Sequence, residues 1–445
     1  MRALNSLPDA SVDLDPAGLE ACRRDESHVV GDLPLARVRP RSAAALRELV
    51  RIATGEGLGL VPRGAGTGKA GGCVSTAGSV VVDLGEWPGG IQLSTQDGTL
   101  TAPASATLRE VREQAWEAGS FYPPDPNSWQ LCAFGGSLAT NAGGPNACKY
   151  GMTRHWVLSV DALMADGEIH RFGIGSVKAN AGPSLAQLMV GSEGIFGLIL
   201  GATVRLAPRP AEFLTLLLPV KAWRLLLELP GRLQAAGYQP AAFEFFDPAV
   251  LEELRRHGPE EARRLPGEAL ALLEFDDRGC GSDGFLEGLA ALLGPVAEDL
   301  RVATDARQRE DLWAVRRMTS AFLKERHPLK VSEDVVVPRS RIPEFFAGLE
   351  RIGGGMVTYG HLGDGNLHTN LLAAGSTDPA ELQQQVMDLF RLCLDLGGTL
   401  SGEHGIGLAK RDAFLALSDP FQIEALRGLK RALDPAGIFN PGKVV

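Results

Sequence analysis

The segment YGHLGDGNLH, residues 359–368, sets His361 and His368 around a glycine-rich centre in a chain with only eight histidines. Gly363, Asp364 and Gly365 argue against a helix. The segment reads instead as a hairpin turning on Asp364-Gly365, a dipeptide favoured in two-residue type I′ turns. In that register the two imidazoles lie directly across from one another on one face, with Cβ atoms about 5 Å apart, and Asn370 joins the same face. Two imidazoles so close make half of a metal site. SGEHGIG, residues 401–407, offers the other half: Glu403 brings a carboxylate oxygen and His404 a further imidazole, again among glycines. Two histidines and one carboxylate leave open positions on a divalent ion, the pattern of a catalytic rather than a structural centre. Zinc, manganese and iron all accept such a set. Either motif alone reads equally well as solvated hairpin histidines or an exposed Glu-His pair; the metal reading rests on their occurring together.

The elements that must carry these residues fall into two stretches of different character. Residues 41–57, RSAAALRELVRIATGEG, have a helical apolar pattern ending in glycine. LGLVPRGAGTGKAGG, from residue 58, is a short strand running into a glycine-rich loop. SVVVDL (79–84) and WVLSVDALMADGEIHRF (156–172) read as strands, the second a hairpin with Asp166-Gly167 at its turn, and ATLREVREQAWEAG (106–119) as a helix. Beyond about residue 208, AWRLLLELPGRLQAAG (222–237) and DGFLEGLAALLG (283–294) are amphipathic helices interleaved with the strands AAFEFFD and ALALLEFD. That alternation suggests a sheet covered by helices on one face. Further helices are expected at about 305–326 and 379–396, on either side of the histidine hairpin.

The 445 residues allow two or three domains with a large core. Hydrophobic residues at 44% and charged residues at 22% are an ordinary globular composition. A formal charge of −10 and a pI near 5.4 speak against a nucleic-acid binder, which normally presents a basic field. The first residues, MRALNSLPDASVDLD, lack the apolar core of a signal peptide, and no apolar run is long enough to span a bilayer. The six cysteines are scattered without a C-x-x-C pair, which points away from disulfides and thiolate zinc sites. A cytoplasmic protein is expected, with peripheral attachment to the inner membrane left open.

PRGAGTG (62–68) after a strand has the small residues that let backbone N–H groups approach an anion. Alone it is equally a packing feature. YPPDPNSWQLCAFGGSLATNAGGPNACKYG (122–151) reads as a long ordered loop, and GSEGIFG (191–197) as a third glycine turn. Three such loops suit a large phosphorylated cofactor lying extended across one domain. In this order they resemble the FAD-binding domain of the vanillyl-alcohol-oxidase and p-cresol-methylhydroxylase (PCMH) type. Within it the chain is most similar to the branch of D-lactate dehydrogenases, D-2-hydroxyglutarate dehydrogenases and the glycolate oxidase large subunit. The resemblance runs from about residue 35 to the C-terminus.

The resemblance implies an α+β chain: a PCMH-type FAD-binding domain at 1–208, an α/β substrate and metal-binding cap domain with a helix-covered antiparallel sheet at 209–400, and a segment at 401–445 returning to the flavin. Arg63, Gly64, Ala65, Gly66, Thr67 and Gly68 would wrap the pyrophosphate. Pro124, Asp125, Ser128, Gly135, Gly136, Asn141, Gly143, Gly144, Tyr150 and Gly151 would line more of the FAD. Glu193, Gly197 and Ile199 would sit nearer the ribityl and adenine parts, and Asn440 of FNPGK near the ring. With no histidine beside the first loop, the FAD is expected to be non-covalent. His361, His368 and Glu403 correspond to ligands of a divalent ion, zinc first with manganese or iron as alternatives, and His404 to the base.

A 2-hydroxy acid's hydroxyl is a weak acid that a Lewis-acidic ion helps to ionise, and imidazoles as a class change charge near neutral pH. The C2 hydrogen would leave as hydride to flavin N5, giving the 2-oxo acid. Arg316 in DLWAVRR would bind the substrate carboxylate, a group that guanidinium matches in bidentate fashion. Ser320 stands one turn on, Lys330 aligns with a substrate lysine across a one-residue gap, and Asn370 would contact substrate on the metal side. The chain departs from the family pattern at Lys69-Ala70 and Ile195-Phe196.

The resulting expectation is FAD- and metal-dependent oxidation of an (R)-2-hydroxy acid of the lactate, glycolate or 2-hydroxyglutarate type. Electrons would pass to a quinone, a cytochrome or an electron-transfer flavoprotein rather than NAD, in a homodimer or a larger complex. Two other readings compete: a zinc hydrolase, for which three flavin loops have no use, and a flavin-binding accessory subunit of a glycolate-oxidase-like complex, which would not need all three ligands and His404.

Overall fold

The structure is a computed structural model and describes residues 3–258, 260–373 and 378–445. The chain forms two compact units, each assembled from separated stretches: the first from 1–143, 152–209 and 403–445, the second from 144–151 and 210–402.

In the first unit, Ser42 caps the helix Ala43–Glu56 by accepting from the Ala45 N–H. Its buried residues Leu46, Leu49, Val50 and Ala53 recur at helical spacing. They pack on a four-stranded sheet in the order Ala10–Asp13, Ala36–Pro40, Ser79–Asp83, Gly59–Arg63. The last three strands are parallel. A second, antiparallel sheet runs Gln92–Ser94, Thr99–Pro103, Leu198–Arg205, Val157–Leu163, Ile169–Gly173. Leu163, Leu198 and Leu200 share one core with Val80, Val82 and Leu60, so the two sheets are bound through apolar side chains. The C-terminal stretch joins the edge of the first sheet: Leu60 N–H donates to Ile438 O (2.7 Å) and Asn440 N–H to Leu60 O (2.8 Å). Phe439, fully buried, fixes that return.

The second unit is built on an antiparallel seven-stranded sheet in the order Arg301–Val302, Leu214–Val220, Ala269–Phe275, Ala242–Phe246, Met356–His361, Asn366–Leu371, Val331–Val336. Helices cover both faces rather than the single face expected from the alternation. Phe246, Leu270, Leu272 and Tyr359 pack against Pro248–His257 and Ala306–Arg326. On the opposite face Phe245 stacks on Trp223 and meets Phe346 edge-on, from Trp223–Ala235 and Ile342–Ile352. Strands apolar on both sides, such as ALALLEF at 269–275, are the physical reason. Among the described residues no helix is long and apolar enough to cross a membrane.

Candidate functional site

The histidine hairpin forms, with a register that differs from the expected one. His361 pairs with Asn366, and His368 with Tyr359. A four-residue loop, 362–365, replaces the two-residue Asp-Gly turn, and the N–H groups of Asp364 and Gly365 both donate to His361 O. Contacts distant in sequence impose it. Gly363 N–H donates to Phe243 O (3.2 Å), and Val337 N–H to Gly365 O (3.1 Å). Gly365 has φ +82, and any side chain there would collide with the Val337 carbonyl.

The offset is two residues, so both imidazoles stay on one face, as diagonal neighbours. Their Nε2 atoms are 3.3 Å apart and both rings are buried. Two nitrogens bound to one tetrahedral ion at about 2.0–2.1 Å stand roughly 3.3–3.4 Å apart, so the pair is spaced for a shared cation.

His361 is oriented by a residue that the sequence reading treated only as part of a strand. Glu244 lies opposite His361 on the neighbouring strand Ala242–Phe246, wholly buried. Its Oε1 is 2.5 Å from His361 Nδ1, and its Oε2 accepts from Arg316 Nε at 2.5 Å. Burial opposes its ionisation, but His361 and Arg316 together hold the carboxyl below the ordinary glutamate range. With Nδ1 engaged, His361 turns Nε2 toward His368, as carboxylate-bonded metal histidines do.

Arg316 belongs to the buried stripe Trp313, Arg316, Thr319, Leu323 of Ala306–Arg326, and its guanidinium carbon lies 5.0 Å from the Tyr359 ring centre. Ser320, half-buried, is one turn on. Lys330, buried, donates to Asn370 Oδ1 at 2.8 Å. On the outer strand Asp334, opposite His368, accepts from Ser401 Oγ (3.1 Å) and Gly402 N–H (3.0 Å). This fixes the chain at the residue before Glu403. A lone acid inside AAFEFFD was the available signal for Glu244, but its partners are separated from it by 72 and 117 positions.

In the first unit, Arg63–Gly68, Ser128, Gly135, Gly136, Gly143, Glu193 and Ile199 line one trough of about 420 Å³ together with Glu403 and His404. Gly64, Gly66, Gly68, Gly135, Gly136 and Gly143 are among the residues of its wall. A Cβ on Gly136 would meet nothing within 4 Å, and small residues let backbone N–H groups approach an anion closely. Gly66 has φ +74, and any side chain there would strike the Arg63 guanidinium. Arg63 in turn donates to the carbonyl of Arg24 (3.1 Å). A trough of this composition fits FAD.

Glu193 also points at the loop that carries His404, where its carboxylate accepts from the N–H of Ile406 (2.7 Å) and of Gly407 (2.9 Å). Burial pushes its pKa up to about 7 against the pull of those two donors. His404 Nε2 lies 3.7 Å from Glu403 Oε1.

The remaining predicted cofactor residues stand elsewhere. The Pro124 carbonyl accepts from Arg112, and Asn141 Oδ1 accepts from the Arg154 N–H. Gly197 packs against Leu163 O, and Asn440 Nδ2 donates to the carbonyls of Glu193 (2.6 Å) and Gly72 (2.9 Å). Asp125, also in the first unit, does not line the trough. Gly144, Tyr150 and Gly151 belong to the second unit, where Tyr150 OH donates to Asp276 Oδ2 at 2.5 Å and Lys149 bridges Asp276 and Asp277.

Comparison with known proteins bears on the whole chain. Residues 34–173 match the FAD binding domain family, and residues 209–444 match the family described as FAD linked oxidases, C-terminal domain. A D-2-hydroxyglutarate dehydrogenase of Xanthomonas citri pv. viticola is 32% identical over 99% of this chain and 95% of its own length. A D-lactate dehydrogenase of Archaeoglobus fulgidus is 32% identical over 92% of this chain and 90% of its own. The solved p-cresol methylhydroxylase with substrate bound shares the fold at a TM-score of 0.76 and 13% identity, covering 100% of this chain and 96% of that one.

Proposed function

Because the chain belongs to the FAD-linked oxidase family, we propose that it oxidises an (R)-2-hydroxy acid to the 2-oxo acid, with non-covalent FAD and a divalent cation. The observation that carries this reading is the position of His404 in the wall of the glycine-lined trough, a titratable side chain beside the space that suits a flavin. When bound, FAD supplies the hydride acceptor at N5 and the cation supplies the positive charge that eases ionisation of the substrate hydroxyl.

The chain's own residues divide the remaining work. His361, His368 and Glu403 hold the cation, a reading supported by the 3.3 Å spacing of the two Nε2 atoms and by the anchoring of Gly402, which precedes Glu403. Zinc suits this donor set, and manganese or iron also satisfies it. His404 accepts the hydroxyl proton. Arg316, with Ser320, Lys330 and Asn370, binds the substrate carboxylate. Arg63–Gly68 wraps the pyrophosphate, Ser128, Gly135 and Gly136 with the other predicted cofactor residues line more of the FAD, and Glu193, Gly197 and Ile199 lie nearer its ribityl and adenine parts. The R enantiomer is favoured by relatives named for D-2-hydroxy acids. The electron acceptor is a quinone, a cytochrome or an electron-transfer flavoprotein.

A panel of D- and L-2-hydroxy acids, scored by anaerobic flavin reduction with and without added zinc or manganese, tests the reading. Reduction by D-acids that needs the cation is expected; L-selective reduction would reverse the assigned enantiomer, and reduction by no member of the panel would refute the reading.

A further inference from the structure

Glu244, at the centre of the sheet, touches both a candidate metal ligand and a candidate substrate-binding cation. One carboxylate oxygen takes His361 Nδ1 and the other takes Arg316 Nε, each at 2.5 Å. The carboxylate is fully buried, and its two oxygens belong to one planar group. Arg316 is further fixed by the Tyr359 ring, 5.0 Å away, and Tyr359 pairs with His368 in the strand register.

We propose that Glu244 is a positioning residue that couples cation affinity at the histidine pair to carboxylate affinity at Arg316. A cation drawing on His361 Nε2 polarises the Nδ1–H and strengthens its bond to Oε1. The same carboxylate then holds Arg316 differently, and the guanidinium presents a different face to an anionic ligand. Linkage requires the reverse effect as well: an anion on Arg316 changes the affinity of the histidine pair for its cation. Specificity for acids bearing a carboxylate next to the hydroxyl would follow from this shared group. The inference rests on the proposed function, since it takes His361 as a ligand and Arg316 as a substrate contact.

The test uses the full-length flavin-loaded protein and Zn²⁺, with affinity read by competition against a fluorescent chelator. Glu244→Gln should weaken zinc by about 10- to 100-fold and raise KM for the 2-hydroxy acid while flavin content stays at the wild-type level. A merely structural role would lower flavin content and thermal stability without moving the zinc affinity. Arg316→Lys provides a second variant should Glu244→Gln fail to fold. Arg316 is no ligand, yet the coupling requires zinc affinity to shift when its Nε–H is removed, and Glu244→Asp should fall between wild type and Gln. Zinc affinity within twofold of wild type in the folded variants, or weakened zinc with unchanged KM, overturns the coupling alone. A wild-type protein that takes up none of zinc, manganese and iron overturns the proposed function and the coupling together.

Discussion

At the scale of single residues, chemistry concentrates on side chains whose neighbours leave them little choice of orientation. His361 and His368 were legible in the sequence because histidine is scarce in the chain and glycines surround both. Glu403 and His404 were legible for the same reason. Glu244 was not, because a carboxylate in a strand acquires a role only from its cross-strand neighbour, and register is not a local property. The proposed roles of the histidines lead to distinct expectations. His404→Ala should lower the rate of flavin reduction by about 10²- to 10⁴-fold, the usual range for a lost proton acceptor, while flavin stays bound; rapid mixing with D-lactate measures it. His361→Ala should instead abolish cation binding, detectable by metal analysis of the purified protein.

At the scale of elements, two glycine-rich segments do positional work that their composition only hinted at. The loop after Glu403 is held by Glu193 through the N–H groups of Ile406 and Gly407. Glu193→Ala removes both acceptors, so amide hydrogen exchange at these two residues should accelerate and flavin reduction should slow. Unchanged exchange would mean that other contacts hold the loop. The hairpin turn is the second case. Its type was misread from sequence because Phe243, in another strand of the sheet, and Val337, just past the end of a second one, set the loop length. Gly365→Ala places a side chain at positive φ against the Val337 carbonyl. A loss of about 2 kcal/mol or more is expected, measured as a lower denaturation midpoint together with weaker zinc binding.

At the scale of the molecule, the alternation of helices and strands made the α+β class legible, and the three glycine loops marked one unit as a cofactor binder. The assignment of 144–151 to the second unit was not legible, since that stretch continues the glycine-rich loop without a change of composition. Global stability should also carry a signature of one buried acid. Asp247 caps the helix Pro248–His257 and accepts from the N–H groups of Val250 and Thr358, both at 2.7 Å. Burial pushes its pKa up to about 7. A carboxyl with a raised folded-state pKa adds stability that is complete below its unfolded value, about 4, and is lost as pH rises through the folded-state value. The second unit should therefore melt at a lower temperature at pH 8 than at pH 5.5, and Asp247→Asn should flatten that slope; an equal slope in the variant would assign it to other groups.

The central proposal is that catalysis needs both a flavin and a cation held by the histidine pair. The most direct measurement is the anaerobic loss of the flavin's visible absorbance on adding D-lactate or D-2-hydroxyglutarate, before chelation, after it, and after zinc or manganese is restored. Bleaching that disappears with the cation and returns with it is expected. Bleaching indifferent to chelation would contradict the account.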